Sequence, residues 1–104
     1  MKYLKQYEMK FAYQYIIVKN HYMFRGNDIK NILFTVGNFK HSPDSLILNQ
    51  IKIGYKNGSV EYCGGEWHQY SYDEIYPHII YKTDNLQDAE DILPKLLDVD
   101  KYNI

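Results

Sequence analysis
The sequence predicts an α+β domain of two layers: an antiparallel sheet of about four strands with one or two helices packed on one face. Three observations carry that prediction. Asn57-Gly58 stands between two alternating apolar runs, Ile51, Ile53, Tyr55 before it and Val60, Tyr62 after it, the pattern of a tight hairpin. Residues 9–18 alternate through Met9, Phe11, Tyr13, Tyr15 and Ile17 and end in β-branched residues, the pattern of a further strand. Thr83-Asp84-Asn85 precedes Leu86, Ala89 and Leu93 on one stripe, the pattern of a capped amphipathic helix. At 104 residues, 45% of them hydrophobic, the chain has the size of one domain, residues 1–104, with one small core.

Taken in order, the first element has a rival. Leu4, Tyr7, Phe11, Tyr15 and Val18 also share a helical stripe, but the strand over 9–18 is the better match. Residues 27–37 predict a helix, with Asn27 or Asp28 as cap, Ile29, Ile32, Leu33 and Val36 at helical spacing, and Gly37 just past the end. The β-formers from Ile32 to Val36 leave a strand as the alternative. His41-Ser42-Pro43-Asp44 marks a turn. The hairpin spans residues 46–63. A two-residue type I′ turn at Asn57-Gly58 pairs Lys56 with Ser59, Tyr55 with Val60 and Ile53 with Tyr62. Five apolar side chains then share one face, with Gln50, Lys52, Lys56, Ser59 and Glu61 on the other, an agreement that a slip of one residue would undo.

Gly64-Gly65 ends the hairpin or bulges it. Ser71 and Glu74 form a capping box for a one-turn helix that stops before Pro77. His78 to Lys82 reads as another strand. The last helix carries Asp88, Glu90 and Asp91 in its first turns, where the macrodipole favours anions. Pro94 ends or kinks it near Leu93, and Leu96, Leu97 and Val99 continue as a final turn.

The net charge of −1 conceals an asymmetry. Residues 1–65 carry nine basic and four acidic side chains, a net of +5, and residues 66–104 carry nine acidic and three basic, a net of −6. Such polarity orients partners more than it attracts them. Eleven of the twelve cations are Lys, and Asn, Ile and Tyr are abundant, which suggests A/T-rich coding DNA and a low-G+C bacterium, phage or plasmid as source. One cysteine forms no intramolecular disulfide, unlike the usual small secreted domain. The first residues lack a signal-peptide core, and the longest apolar run, Tyr15–Val18, is too short to span a bilayer. A soluble cytoplasmic protein with no membrane partner is expected.

Little in the chain carries chemistry. His21, His41, His68 and His78 have no metal-ligand spacing, and no metal or cofactor is implied. Cys63, Glu66 and His68 are the best candidates for a small catalytic cluster, which needs a cation near the thiol. Gly64-Gly65 is followed by Glu66, so it is no phosphate loop.

Twelve tyrosines exceed what so small a core holds, and exposed Tyr suits binding surfaces. Tyr70, Tyr72, Asp73, Glu74, Tyr76, Asp84, Asp88, Glu90 and Asp91 are the expected protein-binding residues. Tyr13, Tyr15, Lys19, Lys52, Tyr55 and Lys56 are the alternative, a stacking and phosphate-neutralising face for nucleic acid. Near-neutral charge and a single arginine weigh against nucleic acid.

In size and composition the chain resembles the small accessory proteins of phages and plasmids. Some of those block host defence nucleases, as anti-CRISPR proteins do. The resemblance implies a non-enzymatic protein that binds and inhibits a host protein, such as a nuclease or other defence component. A strand edge left open by the hairpin or by residues 9–18 would also allow a homodimer through a continued sheet.

Overall fold
The computed structural model describes residues 13–20, 28–37 and 44–98. Six strands form one sheet: β1 (Tyr15–Lys19), β2 (Ile29–Gly37), β3 (Ser45–Tyr55), β4 (Val60–Tyr62), β5 (Trp67–Ser71) and β6 (Ile79–Thr83). Helix α1 (Tyr72–Ile75) and a 3-10 turn (Tyr76–His78) join β5 to β6, and α2 (Leu86–Ile92) runs into a 3-10 segment (Leu93–Asp98). The order is β4-β3-β2-β1-β6, with β5 also on β3, beside β4, and every pairing is antiparallel. The domain is α+β, with a larger sheet than the sequence predicts. Residues 9–12, the turn at His41–Pro43 and the end beyond Asp98 lie outside the described residues.

The helix expected over 27–37 is a strand. Ile32, Leu33 and Phe34 are all buried, and they divide between two clusters. Ile32 and Phe34 pack with Ile16, Val18, Leu46, Leu48 and Ile75, whereas Leu33 packs with Ile17, Ala89, Leu93 and Leu96. A strand covered on both faces is apolar without interruption, and its sequence then mimics a helical stripe. The same division separates the helices. Ile75 of α1 closes one face of the sheet; Ala89 of α2 and Leu93 close the other. Apolar residues on both sides of β1 and β2 require cover on both sides.

The other elements follow their local signals. Pro77 sits in the 3-10 turn after α1, and α2 gives way to 3-10 geometry at Leu93, one residue before Pro94, as a missing N–H dictates. Asn85 caps α2, its side chain accepting from the Asp88 N–H at 3.1 Å. Ser71 occupies the cap position of α1 but makes no side-chain cap bond.

The hairpin forms at Asn57-Gly58 in a register shifted by one residue. Gly54 pairs with Val60, Ile53 with Glu61 and Lys52 with Tyr62. The loop is Lys56-Asn57-Gly58: the Gly58 N–H donates to the Tyr55 carbonyl at 2.8 Å and the Tyr55 N–H to the Ser59 carbonyl at 2.9 Å. Gly58 has φ +93°, and no other residue type among those described has positive φ. A type I′ turn needs positive φ at both central residues. Here Asn57 keeps ordinary φ and uses its Oδ1 to accept from the Ser59 N–H (2.9 Å) and Oγ (2.7 Å). The result is a three-residue loop ending in a left-handed glycine.

Candidate interaction surface
The shifted register decides what the edge of the sheet presents. β4 and β5 lie end to end along the outer side of β3. Lys52 pairs with Tyr62 and Asn49 with Trp67, so Cys63-Gly64-Gly65-Glu66 stands opposite only Gln50 and Ile51. β3 bulges at the same place: Leu33 pairs with Lys52 but Phe34 with Gln50, so Asn49 and Lys52, three residues apart, both follow the Leu33 and Thr35 side of β2 and share a face. Val60, Tyr62, Trp67 and Gln69 therefore lie on the face of Gly54, Lys52, Asn49 and Ile47. This is the α2 face, since the Lys52 Nζ is 3.3 Å from the Glu90 carboxylate. Helix α2 covers β6 and β1, and the 3-10 segment reaches over β2 and β3. The edge beyond is uncovered: Val60 is 39% exposed, Tyr62 73% and Trp67 46%.

Sequence reasoning missed these three residues as a site. The type I′ register puts Val60 and Tyr62 with Ile53 and Tyr55, on the buried side. The signal that separates the two registers is whether Asn57 takes positive φ, and Asn-Gly permits either outcome.

The expected protein-binding residues divide between the two faces. Tyr70 is half-buried on the α1 face, its ring edge-on to Phe34 at 5.8 Å. Burial raises its phenol pKa, against a smaller opposing hydrogen bond with Gln50. Tyr72 and Tyr76 stack at 4.9 Å, beside exposed Asp73 and Glu74. Asp84 accepts from the Gln14 N–H at 2.9 Å. Asp88 and Asp91 are exposed on α2, and Glu90 is committed to Lys52.

The alternative nucleic-acid residues are not brought together as one surface. Tyr15 packs into the core cluster beneath α2, and Lys19 is half-buried at the end of β1. Lys52 is ion-paired on the α2 face. Tyr55 is on the other face, where its hydroxyl donates to Glu61 and that hydrogen bond raises the phenol pKa. Lys56 is in the exposed turn. Tyr13 does meet a cation, the unforeseen Lys82, whose Nζ lies 5.7 Å from the Tyr13 ring and 5.8 Å from that of Tyr76.

Cys63 is half-buried with Sγ 3.8 Å from the Gln50 Oε1. Burial first, and the Glu61 carboxylate second, push its thiol pKa up, opposite to what a nucleophilic thiolate needs. Glu66 and His68 are exposed. Among the described residues no three His, Cys, Asp or Glu side chains converge as metal ligands, and no helix is long and apolar enough to cross a membrane. Comparison of the chain with family models, with curated proteins and with solved structures finds no match.

Proposed function
We propose that this protein acts by binding another protein at the β4–β5 edge, as a small inhibitor without chemistry of its own. The observation behind the reading is the run of Val60, Tyr62 and Trp67 uncovered on one face of one edge. Contiguous exposed apolar side chains mark interaction sites, and Trp and Tyr carry most of the energy at such sites. Size and composition extend the reading to a host target of a phage or plasmid, such as a defence nuclease. The test is affinity capture from a low-G+C bacterial lysate with wild type, Tyr62→Ala and Trp67→Ala. A partner retained by wild type and lost by both variants supports the reading. A partner retained equally by all three contradicts it.

A second reading has one observation in its favour. Lys82 seated against Tyr13 and Tyr76, with Tyr72 stacked behind, offers a cation beside exposed rings, the elements of a single-strand site. Titration of labelled single-stranded DNA and RNA at about 50 and 200 mM salt tests it. Binding that weakens steeply with salt and is lost in Lys82→Ala supports it; no binding at the lower salt removes it.

A further inference from the structure
The turn of the hairpin holds an amide beside a nitrogen able to attack it. Asn57 is the one asparagine of eight that precedes a glycine. Gly58 has no Cβ to hinder ring closure at its own nitrogen. Among the described residues, nothing beyond its chain neighbours lies within 4 Å of where that Cβ would stand. Asn57 and Ser59 are exposed, so water reaches the turn. The Asn57 side chain folds forward along the loop, its Oδ1 accepting from the Ser59 N–H at 2.9 Å and the Ser59 hydroxyl at 2.7 Å. The hydrogen-bonded ring of such an Asx turn runs through the nitrogen of the residue between, here Gly58. Both donors address the oxygen on which negative charge gathers when Cγ is attacked, and donors placed there lower the barrier. One bond opposes the attack: the Gly58 N–H donates to the Tyr55 carbonyl at 2.8 Å and must first let go. It lies in an exposed loop, where backbone bonds open at least cost.

We infer that Asn57 is a site of spontaneous covalent modification, where attack by the Gly58 nitrogen converts the side-chain amide to isoaspartate or aspartate and resets the hairpin. The inference does not depend on what the β4–β5 edge binds. In the first step the Gly58 nitrogen gives its proton to water and bonds to Cγ of Asn57. The Cγ–Nδ2 bond breaks, and Nδ2 takes a proton from water and leaves as ammonia. The product is a five-membered succinimide. In the second step water adds to one of the two ring carbonyls. If the bond from the Gly58 nitrogen to Cγ breaks, aspartate results. If the bond to the main-chain carbonyl carbon breaks, isoaspartate results, and the main chain then runs through the former side chain. One water is consumed and one ammonia released, with no oxidant or reductant. The consequence follows from the loop. Isoaspartate adds a methylene to the main chain and ends the amide bonds to Ser59. The Lys56-Asn57-Gly58 loop, which sets Gly54 against Val60 and Lys52 against Tyr62, no longer fits. β4 loses its register, and with it the placement of Val60 and Tyr62 on the α2 face.

The experiment incubates the full chain near neutral pH and maps it by peptide mass spectrometry, with isoaspartate read by enzymatic methylation of its free carboxylate. Acid at position 57 should accumulate about tenfold or more faster than at any other asparagine, and isoaspartate should be part of it. Ser59→Ala removes the hydroxyl donor and should slow the conversion about three- to tenfold, the worth of one hydrogen bond. Wild type unfolded in urea holds neither donor in place and should convert no faster than the folded chain, a readout that needs no altered protein. In the converted chain the Tyr55 N–H, bonded across the turn to the Ser59 carbonyl, should lose its protection from hydrogen exchange. Asn57→Ser keeps a side-chain acceptor but has no amide to lose, and the same incubation should leave its Tyr55 N–H protected. Folded Asn57 that stays intact while the unfolded chain converts means that the Tyr55 carbonyl guards the turn, and it overturns the inference. Conversion to aspartate alone, a rate no greater than at the other asparagines, or a rate unmoved by Ser59→Ala does the same. Isoaspartate formed with the Tyr55 N–H still protected overturns the resetting of the hairpin.

Discussion
Asn31 is the buried polar side chain among the described residues, 1% exposed, with neither Nδ2 nor Oδ1 hydrogen-bonded. It lies on β2 under the 3-10 segment, its Oδ1 against Gly54. An unpaired buried amide costs about 1–3 kcal/mol. Asn31→Val, which removes the amide and suits a strand, should therefore raise stability by about 1 kcal/mol, read as roughly 4–8 °C in Tm. Gly54→Ala should do the reverse. Its methyl would collide with the Asn31 Oδ1 and meet Leu93 at 3.3 Å, and overpacking of this kind costs about 1–3 kcal/mol. Asn31→Ala in the same chain should recover part of that loss, a coupling that a double-mutant cycle measures. Cys63 makes a prediction of a different kind. A thiol pushed up by burial and by Glu61 holds less thiolate at any given pH below its pKa, so alkylation at pH 8 should be slower than for a free cysteine. The rate should still be rising above the ordinary thiol pKa of about 8.5. A rate that levels off near neutral pH would restore Cys63 as a candidate nucleophile.

Elements that local chemistry controls were legible in the sequence. The start of α2 within Thr83-Asp84-Asn85, the stops at Pro77 and Pro94, and a strand expected at His78–Lys82 and found at Ile79–Thr83 follow from capping groups, missing donors and β-branched residues. The caps make a graded prediction. Asn85→Ala should cost about 1 kcal/mol, because a real cap bond is lost. Ser71→Ala should cost almost nothing in thermal unfolding, because Ser71 makes no side-chain cap bond. What was not legible depends on tertiary context. Ile29, Ile32, Leu33 and Val36 fit a helix and a doubly covered strand alike, and only Leu93 and Ala89 on one side and Ile75 on the other choose between them. The register of the hairpin hung on the φ of a single residue, Asn57. That choice moved Val60 and Tyr62 from the expected core to the surface, and it is why the candidate site was hidden while the hairpin was plain.

At the scale of the whole molecule, the described sheet is covered on both faces at its centre and exposes Val60, Tyr62 and Trp67 at one edge. Among the described residues the acids of the second half divide between two faces: Asp73 and Glu74 ride on α1, and Asp88 and Asp91 on α2. Truncation at this edge should separate stability from binding. Tyr62→Ala removes a side chain 73% exposed and should shift stability by no more than about 0.5 kcal/mol, whereas at a hot spot it should weaken partner binding by about 2 kcal/mol. Trp67 is the single tryptophan of the chain, so its fluorescence reports the edge without labels. The most direct measurement is acrylamide quenching of that emission, free and saturated with the partner that the wild-type chain captures. A red-shifted, readily quenched signal that moves to the blue and becomes protected on saturation is the predicted result. Emission that is already blue and shielded in the free protein, or that does not change at saturation, would contradict the claim that the β4–β5 edge is an open binding surface.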